Sequence, residues 1–144
     1  MNTVVDSVIL SYLGGFFDGE GSISPMRGGP QRGYVGGILV KVSQKDRTAL
    51  EVFKRLWDGN IYNDGLVWAW QVARKASVLV FLEDIEPFLM GKRLQARLAM
   101  SLLILPKTTF RSGPMSYSDA QIDLADWIHD KISLLNHKPK TGVR

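Results

Sequence analysis

Leu13-Gly14-Gly15-Phe16-Phe17-Asp18-Gly19-Glu20-Gly21 closes an otherwise apolar segment with two carboxylates separated by one glycine. Reading back from it, Asp6 or Ser7 is placed to cap a helix on which Val8, Ile9, Tyr12, Leu13, Phe16 and Phe17 recur at helical spacing. Small residues form a second stripe: Ser11, Gly15 and Gly19 lie four apart, with Gly14 beside them. A glycine inside a helix costs about 1 kcal/mol relative to alanine, so two adjacent ones imply a compensating close approach of another backbone. The natural partner is the same helix of a second copy. If two such helices cross on a two-fold axis through the stripe, their C-terminal ends meet and two Glu20 carboxylates converge on one site. The motif then makes a paired metal site.

Composition narrows the function classes. The chain has 144 residues, 45% of them hydrophobic, enough for one folded domain with a substantial core. It contains no cysteine, which excludes a disulfide framework and any Cys-ligated zinc module. The two histidines, His129 and His137, are not spaced as metal ligands and read as helix-surface and tail residues. A formal charge of +4 favours a polyanionic partner. No stretch reaches the ~20 apolar residues of a membrane span, and the N-terminus lacks the basic start of a secretory signal. A soluble, cytoplasmic protein with no membrane partner is expected.

After the motif the pattern changes to alternation. Ser22–Met26 reads as a strand, Arg27-Gly28-Gly29-Pro30-Gln31-Arg32-Gly33 as its turn and Tyr34–Ser43 as the return strand. Ile38, Val40 and Val42 then share one face, and Leu39, Lys41 and Ser43 the other. Ser43-Gln44-Lys45-Asp46 starts a helix that carries Leu50, Phe53, Leu56 and Trp57 inward and ends at Gly59. Asn60–Asn63 and Leu66–Arg74 flank the hairpin dipeptide Asp64-Gly65, with Trp68, Trp70 and Val72 on one face and Ala69, Gln71 and Ala73 on the other.

Ser77 caps a helix to about Ile85, and Pro87 interrupts it. A longer helix runs from about Lys92 to Leu105 with Leu94, Leu98 and Leu102 inward. Residues 107–117 read as a polar connection. Ser118-Asp119-Ala120-Gln121 opens a last helix carrying Ile122, Ile128, Ile132 and Leu135. No internal repeat is present. The prediction is a single α+β domain over 1–144: a core over about 6–105, a C-terminal helical extension over about 106–137 and a basic tail over 138–144.

The nine residues from Leu13 to Gly21 resemble the LAGLIDADG motif of the homing endonucleases and related intron-encoded maturases. The order of elements to about Leu105 is similar to that family's αββαββα core. The resemblance implies that Ser11, Gly14, Gly15, Asp18 and Gly19 form a dimer interface, with Asp18 the structural acid at the helix end. Glu20 and the Gly19 carbonyl bind the divalent cations. Single-motif members act as homodimers, and 144 residues leave no room for a second motif. Gln44 matches the residue that positions water, and Lys92 the basic residue near the scissile phosphate. The family's arginine four residues after the glutamine falls on Thr48 here, with Arg47 one step earlier.

In such proteins each four-stranded sheet is a saddle along the DNA major groove. By alternation and by that resemblance, Ser24, Met26, Lys41, Asn60, Tyr62 and Gln71 face DNA, and Arg27, Arg32 and Arg74 reach phosphates from strand ends. Val35, Leu39, Ala69 and Ala73 are apolar interruptions of that face. The implied activity is that of an intron-homing nuclease, a hydrolase. It would bind a long pseudo-palindromic double-stranded site and cut both strands with Mg2+, leaving 3′ overhangs, while Ca2+ or Mn2+ could substitute in binding. Its compartment would be the cytoplasm, or an organelle if the host gene is organellar. The alternatives are an RNA-splicing maturase or a non-cleaving DNA-binding regulator on the same fold, and a non-catalytic dimerisation domain. The intact Glu20 favours cleavage over these.

Overall fold

Helix α1 spans Thr3–Glu20 and runs straight into strand β1, Gly21–Met26. The structure is a computed structural model that describes residues 3–27, 35–110 and 115–137. The predicted turn beyond Arg27, with Arg32 and Tyr34, lies outside the described residues, as does the basic tail. After it come β2 (Gly37–Gln44), α2 (Arg47–Trp57), β3 (Asn60–Asp64), β4 (Val67–Val72) and α3 (Lys75–Ile85). A 3-10 turn, Glu86–Phe88, leads to α4 (Arg93–Leu103), a short hairpin of β5 (Thr109–Phe110) and β6 (Met115–Ser116), and α5 (Asp119–Asn136). The first seven elements give the expected α+β order.

The sheet is antiparallel in the order β1-β2-β4-β3. Alternation sets its two faces. Ile23, Ile38, Val40, Val42, Trp70 and Val72 are buried beneath the helices. An aromatic cluster joins the layers: Phe81 on α3 lies 5.1 Å from Phe17, 4.8 Å from Trp57 and 5.6 Å from Trp70, ring centre to ring centre. Edge-on packing of such rings adds to the area they bury. Trp70 Nε1 donates to the Asp58 carbonyl at 2.6 Å, fixing the turn from α2 into β3. Gly59 is required in that turn: its φ is +89°, and a Cβ there would overlap the Gln71 carbonyl.

Several local boundaries differ from expectation for identifiable reasons. Helix α1 starts before Asp6, so neither Asp6 nor Ser7 is its cap. Asp46 caps α2 by accepting from the Thr48 amide at 2.9 Å, while Leu56 on that helix is exposed, not inward. The β3–β4 turn centres on Gly65-Leu66, because Asp64 pairs with Val67 and belongs to the strand. Helix α3 begins at Lys75, so Ser77 lies inside its first turn. On α4 the inward residues are Gln95, Ala96, Ala99, Leu102 and Leu103, and Leu94 is exposed. Ser118 and Gln121 do form the expected capping box of α5.

His129 corrects a surface assignment: it is 1% exposed, and its Nε2 lies 2.8 Å from the Val35 carbonyl. A carbonyl only accepts, so that nitrogen carries the proton and supplies the donor the loop before β2 needs. Val35 itself is buried here and does not belong to the outer sheet face.

Candidate active centre and nucleic-acid interface

Two joints fix the C-terminal half of α1. Gly14 is packed against the 3-10 turn so closely that a Cβ would sit 2.7 Å from Phe88 Cβ and 2.8 Å from the Phe88 carbonyl oxygen. One turn later the Asp18 carboxylate accepts the backbone N–H of Met90 at 2.6 Å and of Lys92 at 3.0 Å. Gly14 and Asp18 are therefore engaged within the chain. The remaining small residues behave differently. Ser11, Gly15 and Gly19 are exposed, and a Cβ on either glycine would meet nothing within 4 Å. Exposed Val8, Ile9 and Tyr12 flank this open stripe, and a groove of about 870 Å3 separates it from α2.

Helix α1 has no basic residue in its last turn, although its carbonyl end carries partial negative charge and both motif acids. Lys92 supplies the missing cation from outside: its Nζ donates to the Asp18 carbonyl at 2.5 Å. Glu20 lies two residues on, exposed, as does Gly19. Because β1 starts by pairing Gly21 with Val42, the end of β2 runs on past it, and Gln44 falls beside the end of α1. Gln44 lines the α1–α2 groove with its Oε1 accepting from the Lys45 amide at 2.8 Å. Glu20 thus ends α1 and Lys92 binds that end, while Gln44 lies on β2 two residues past the register partner of Gly21. Among the described residues no group of three or more His, Asp or Glu side chains could hold a metal. At this helix end Glu20 and Gly19 are exposed, and the stripe of Ser11, Gly15 and Gly19 is open.

Register places the groove-reading candidates on the outer sheet face. Ser22 pairs with Lys41, Lys41 with Gln71 and Gln71 with Asn60, a polar row across all four strands. Ser24 and Met26 continue that face along β1, and Tyr62, paired with Ala69, continues it along β3. Ser22, Ser43 and Asp64 belong to it as well; two-residue alternation from Ser24, Lys41 and Tyr62 would have found them. Ala69 lies on this face yet is fully buried, flanked by Ser43 and Tyr62 across the ladder.

The predicted phosphate contacts fare differently. Arg27 forms an ion pair with Asp130 on α5. Arg74 is the residue before α3, and its Nε and Nη2 donate to Ser77 Oγ at 3.2 and 3.0 Å, so it bends onto α3 instead of the outer face. Arg47 stacks on the Trp68 ring at 4.5 Å, and Trp68 is the register partner of Gln44. That puts Arg47, the cation that the sequence offers one step before Thr48, against the strand neighbour of Gln44.

Residues 7–61 match the profile of the LAGLIDADG-like domain. The fold is that of the LAGLIDADG homing endonucleases. Solved LAGLIDADG structures extend the match over nearly the whole chain. The homing endonuclease I-CvuI, solved in complex with the I-CreI DNA target and Mg, superposes with a TM-score of 0.74 at 22% identity, covering 96% of this chain and 88% of that one. The archaeal intron-encoded homing endonuclease I-Vdi141I, complexed with DNA, gives 0.59 at 18% identity over 89% and 98%. The meganuclease I-AabMI, bound to uncleaved DNA, gives 0.56 at 20% identity, but covers 65% of this chain and 35% of its own. No curated protein sequence matches the chain. The matched profile covers most of α1, including its two acids Asp18 and Glu20. No helix among the described residues is long and apolar enough to cross a membrane.

Proposed function

We propose that the protein is a homing endonuclease that binds a long, nearly palindromic DNA duplex as a homodimer and hydrolyses both strands with a divalent cation, leaving 3′ overhangs. What supports the reading is Glu20 exposed at the end of α1, Lys92 bound to the Asp18 carbonyl at that same helix end, and an open Ser11-Gly15-Gly19 stripe. A second α1 crossing on that stripe covers Val8 and Tyr12 and brings two Glu20 carboxylates together.

The residues divide the work by chemistry. Glu20 and the Gly19 carbonyl are hard oxygen donors suited to Mg2+ or Ca2+. Held by these donors, such a cation would supply charge neutralisation at the scissile phosphate and a more acidic bound water. Gln44, held by the Lys45 amide at its Oε1, keeps its N–H donors to orient water or a phosphate oxygen. Lys92 places an ammonium where negative charge grows during hydrolysis. The outer sheet face supplies Ser24, Met26, Lys41, Asn60, Tyr62 and Gln71 to base edges. The histidines lie elsewhere: His129 is in the core, and His137 Nδ1 is 2.6 Å from the Ser133 carbonyl at the end of α5.

The test is cleavage of a randomised duplex library by purified protein in Mg2+. Recovery of one near-palindromic sequence, cut on both strands, is expected. Absence of any cut product, with the protein folded and dimeric, would refute the reading.

A further inference from the structure

The polar row on the outer sheet face carries two directional hydrogen bonds. Lys41 Nζ donates to Asp64 Oδ2 at 3.0 Å and stands 5.7 Å from the centre of the Tyr62 ring. Tyr62 reaches diagonally across the ladder, and its hydroxyl donates to Gln71 Oε1 at 3.2 Å. With its oxygen held by Tyr62, the Gln71 amide turns its nitrogen away from that hydroxyl, and the ammonium beside the ring adds only donors. The Asp64 carboxylate first and Tyr62 second raise the Lys41 pKa.

What remains unengaged is asymmetric. Lys41 keeps N–H groups beyond the one given to Asp64, and Gln71 keeps both amide N–H groups, for which no hydrogen-bond partner occurs among the described residues. Against these donors stands one oxygen lone pair on Gln71, its carbonyl already polarised by Tyr62. An unrestrained glutamine pairs with adenine by giving one hydrogen bond and accepting one, whereas guanine offers two acceptors, N7 and O6.

We propose that Lys41, Tyr62 and Gln71 act as one reading unit that presents donors to a base pair in the major groove and selects guanine there. The inference rests on the reading of this sheet face as the DNA-binding surface, and it makes Tyr62 a specificity residue that sets the outcome through Gln71.

The experiment is binding selection from a randomised duplex library in Ca2+, followed by comparison of the enriched pools for wild type, Tyr62→Phe and Tyr62→Phe with Gln71→Arg. The wild-type pool is expected to hold one position per half-site where guanine exceeds adenine about tenfold. Tyr62→Phe frees the amide to turn and accept, so the ratio there falls to about threefold or less while other positions keep their preferences. Adding Gln71→Arg, which has only donors, restores guanine. A Tyr62→Phe pool identical to wild type at every position would overturn the inference. So would loss of enrichment at all positions, because the hydroxyl would then support the fold and not the reading. Failure of the wild type to enrich any sequence is a different result, removing the DNA-binding reading and this inference with it.

Discussion

Gly14 and Gly15 are neighbours in one helix, yet the same substitution should move stability in opposite directions. At Gly14 an alanine methyl would be placed 2.7 Å from Phe88 Cβ and 2.8 Å from the Phe88 carbonyl oxygen, while at Gly15 it would meet nothing within 4 Å. Carbon atoms rest at about 3.5–4.0 Å, so α1 and the 3-10 turn must separate, and neither contacted atom is the flexible end of a side chain. Overpacking of this kind costs about 1–3 kcal/mol. Alanine returns about 1 kcal/mol of helix propensity, leaving Gly14→Ala less stable by up to about 2 kcal/mol. Gly15→Ala keeps that gain and should be more stable as a monomer by about 0.5–1 kcal/mol.

Urea unfolding at a dilution where the chain is monomeric reads both. With a slope of about 2 kcal/mol/M, the midpoint falls by up to about 1 M for Gly14→Ala and rises by about 0.3–0.5 M for Gly15→Ala. Sedimentation at micromolar concentration then separates the two functions, since Gly15→Ala, and more severely Gly15→Leu, should weaken the dimer while Gly14→Ala leaves the open stripe untouched. Equal shifts of the two midpoints in the same direction would refute the division of the glycines into an internal joint and an external face.

Other outcomes follow from single contacts. Glu20→Gln, at an exposed helix end, should abolish Mg2+-dependent cleavage while leaving dimerisation and DNA binding in Ca2+ largely intact; robust cutting by the purified variant would remove the metal assignment. Asp46 has its pKa lowered by the Thr48 amide and then by the Thr48 hydroxyl, so its stabilisation is present above its ordinary value and is lost as pH falls through the depressed folded value. Asp46→Asn still accepts from the amide but does not titrate. Its urea midpoint should therefore drop less than the wild type's on acidification, and parallel acid limbs would contradict this. His129→Ala should cost about 2–4 kcal/mol in thermal unfolding, from a core cavity and an unpaired Val35 carbonyl; a loss under about 0.5 kcal/mol would show that the bond at 2.8 Å contributes little.

The sequence was most legible where the signal is local or strictly periodic. Alternation placed Ile38, Val40 and Val42 inward and Lys41 and Gln71 outward, and Ser118 with Gln121 announced the start of α5, because a capping box needs only four consecutive residues. Legibility failed where a distant partner decides. Helix α4 offers two candidate stripes, and α3 and α5 select the one with Ala96 and Ala99, whose small side chains allow close approach, so Leu94 is left outside. His129 is drawn inside by a backbone carbonyl 94 residues away, and nothing near it in sequence signals that need. The β5–β6 hairpin is only two residues per strand and carries too little alternation to be read.

The two motif acids show how far spacing alone separates roles. Residues two apart on a helix differ by about 200° in direction, so Asp18 and Glu20 cannot both face the same neighbour. Asp18 turns to its own chain and holds the amides of Met90 and Lys92, and Glu20 is left exposed. The consequence is a coupling between stability and the candidate active centre. The segment that Asp18 ties to α1 is the segment that carries Lys92, and Lys92 Nζ returns to the Asp18 carbonyl. Asp18→Asn removes one charged acceptor of two, a loss of about 1–3 kcal/mol that water at this half-buried site would reduce. The same change loosens the placement of the ammonium. Cleavage should therefore fall more steeply than stability in Asp18→Asn, whereas Lys92→Met should lose cleavage and keep most of its stability, its backbone amide still bound to Asp18. If Asp18→Asn lost stability but cut DNA at the wild-type rate, the joint between α1 and Lys92 would be structural only.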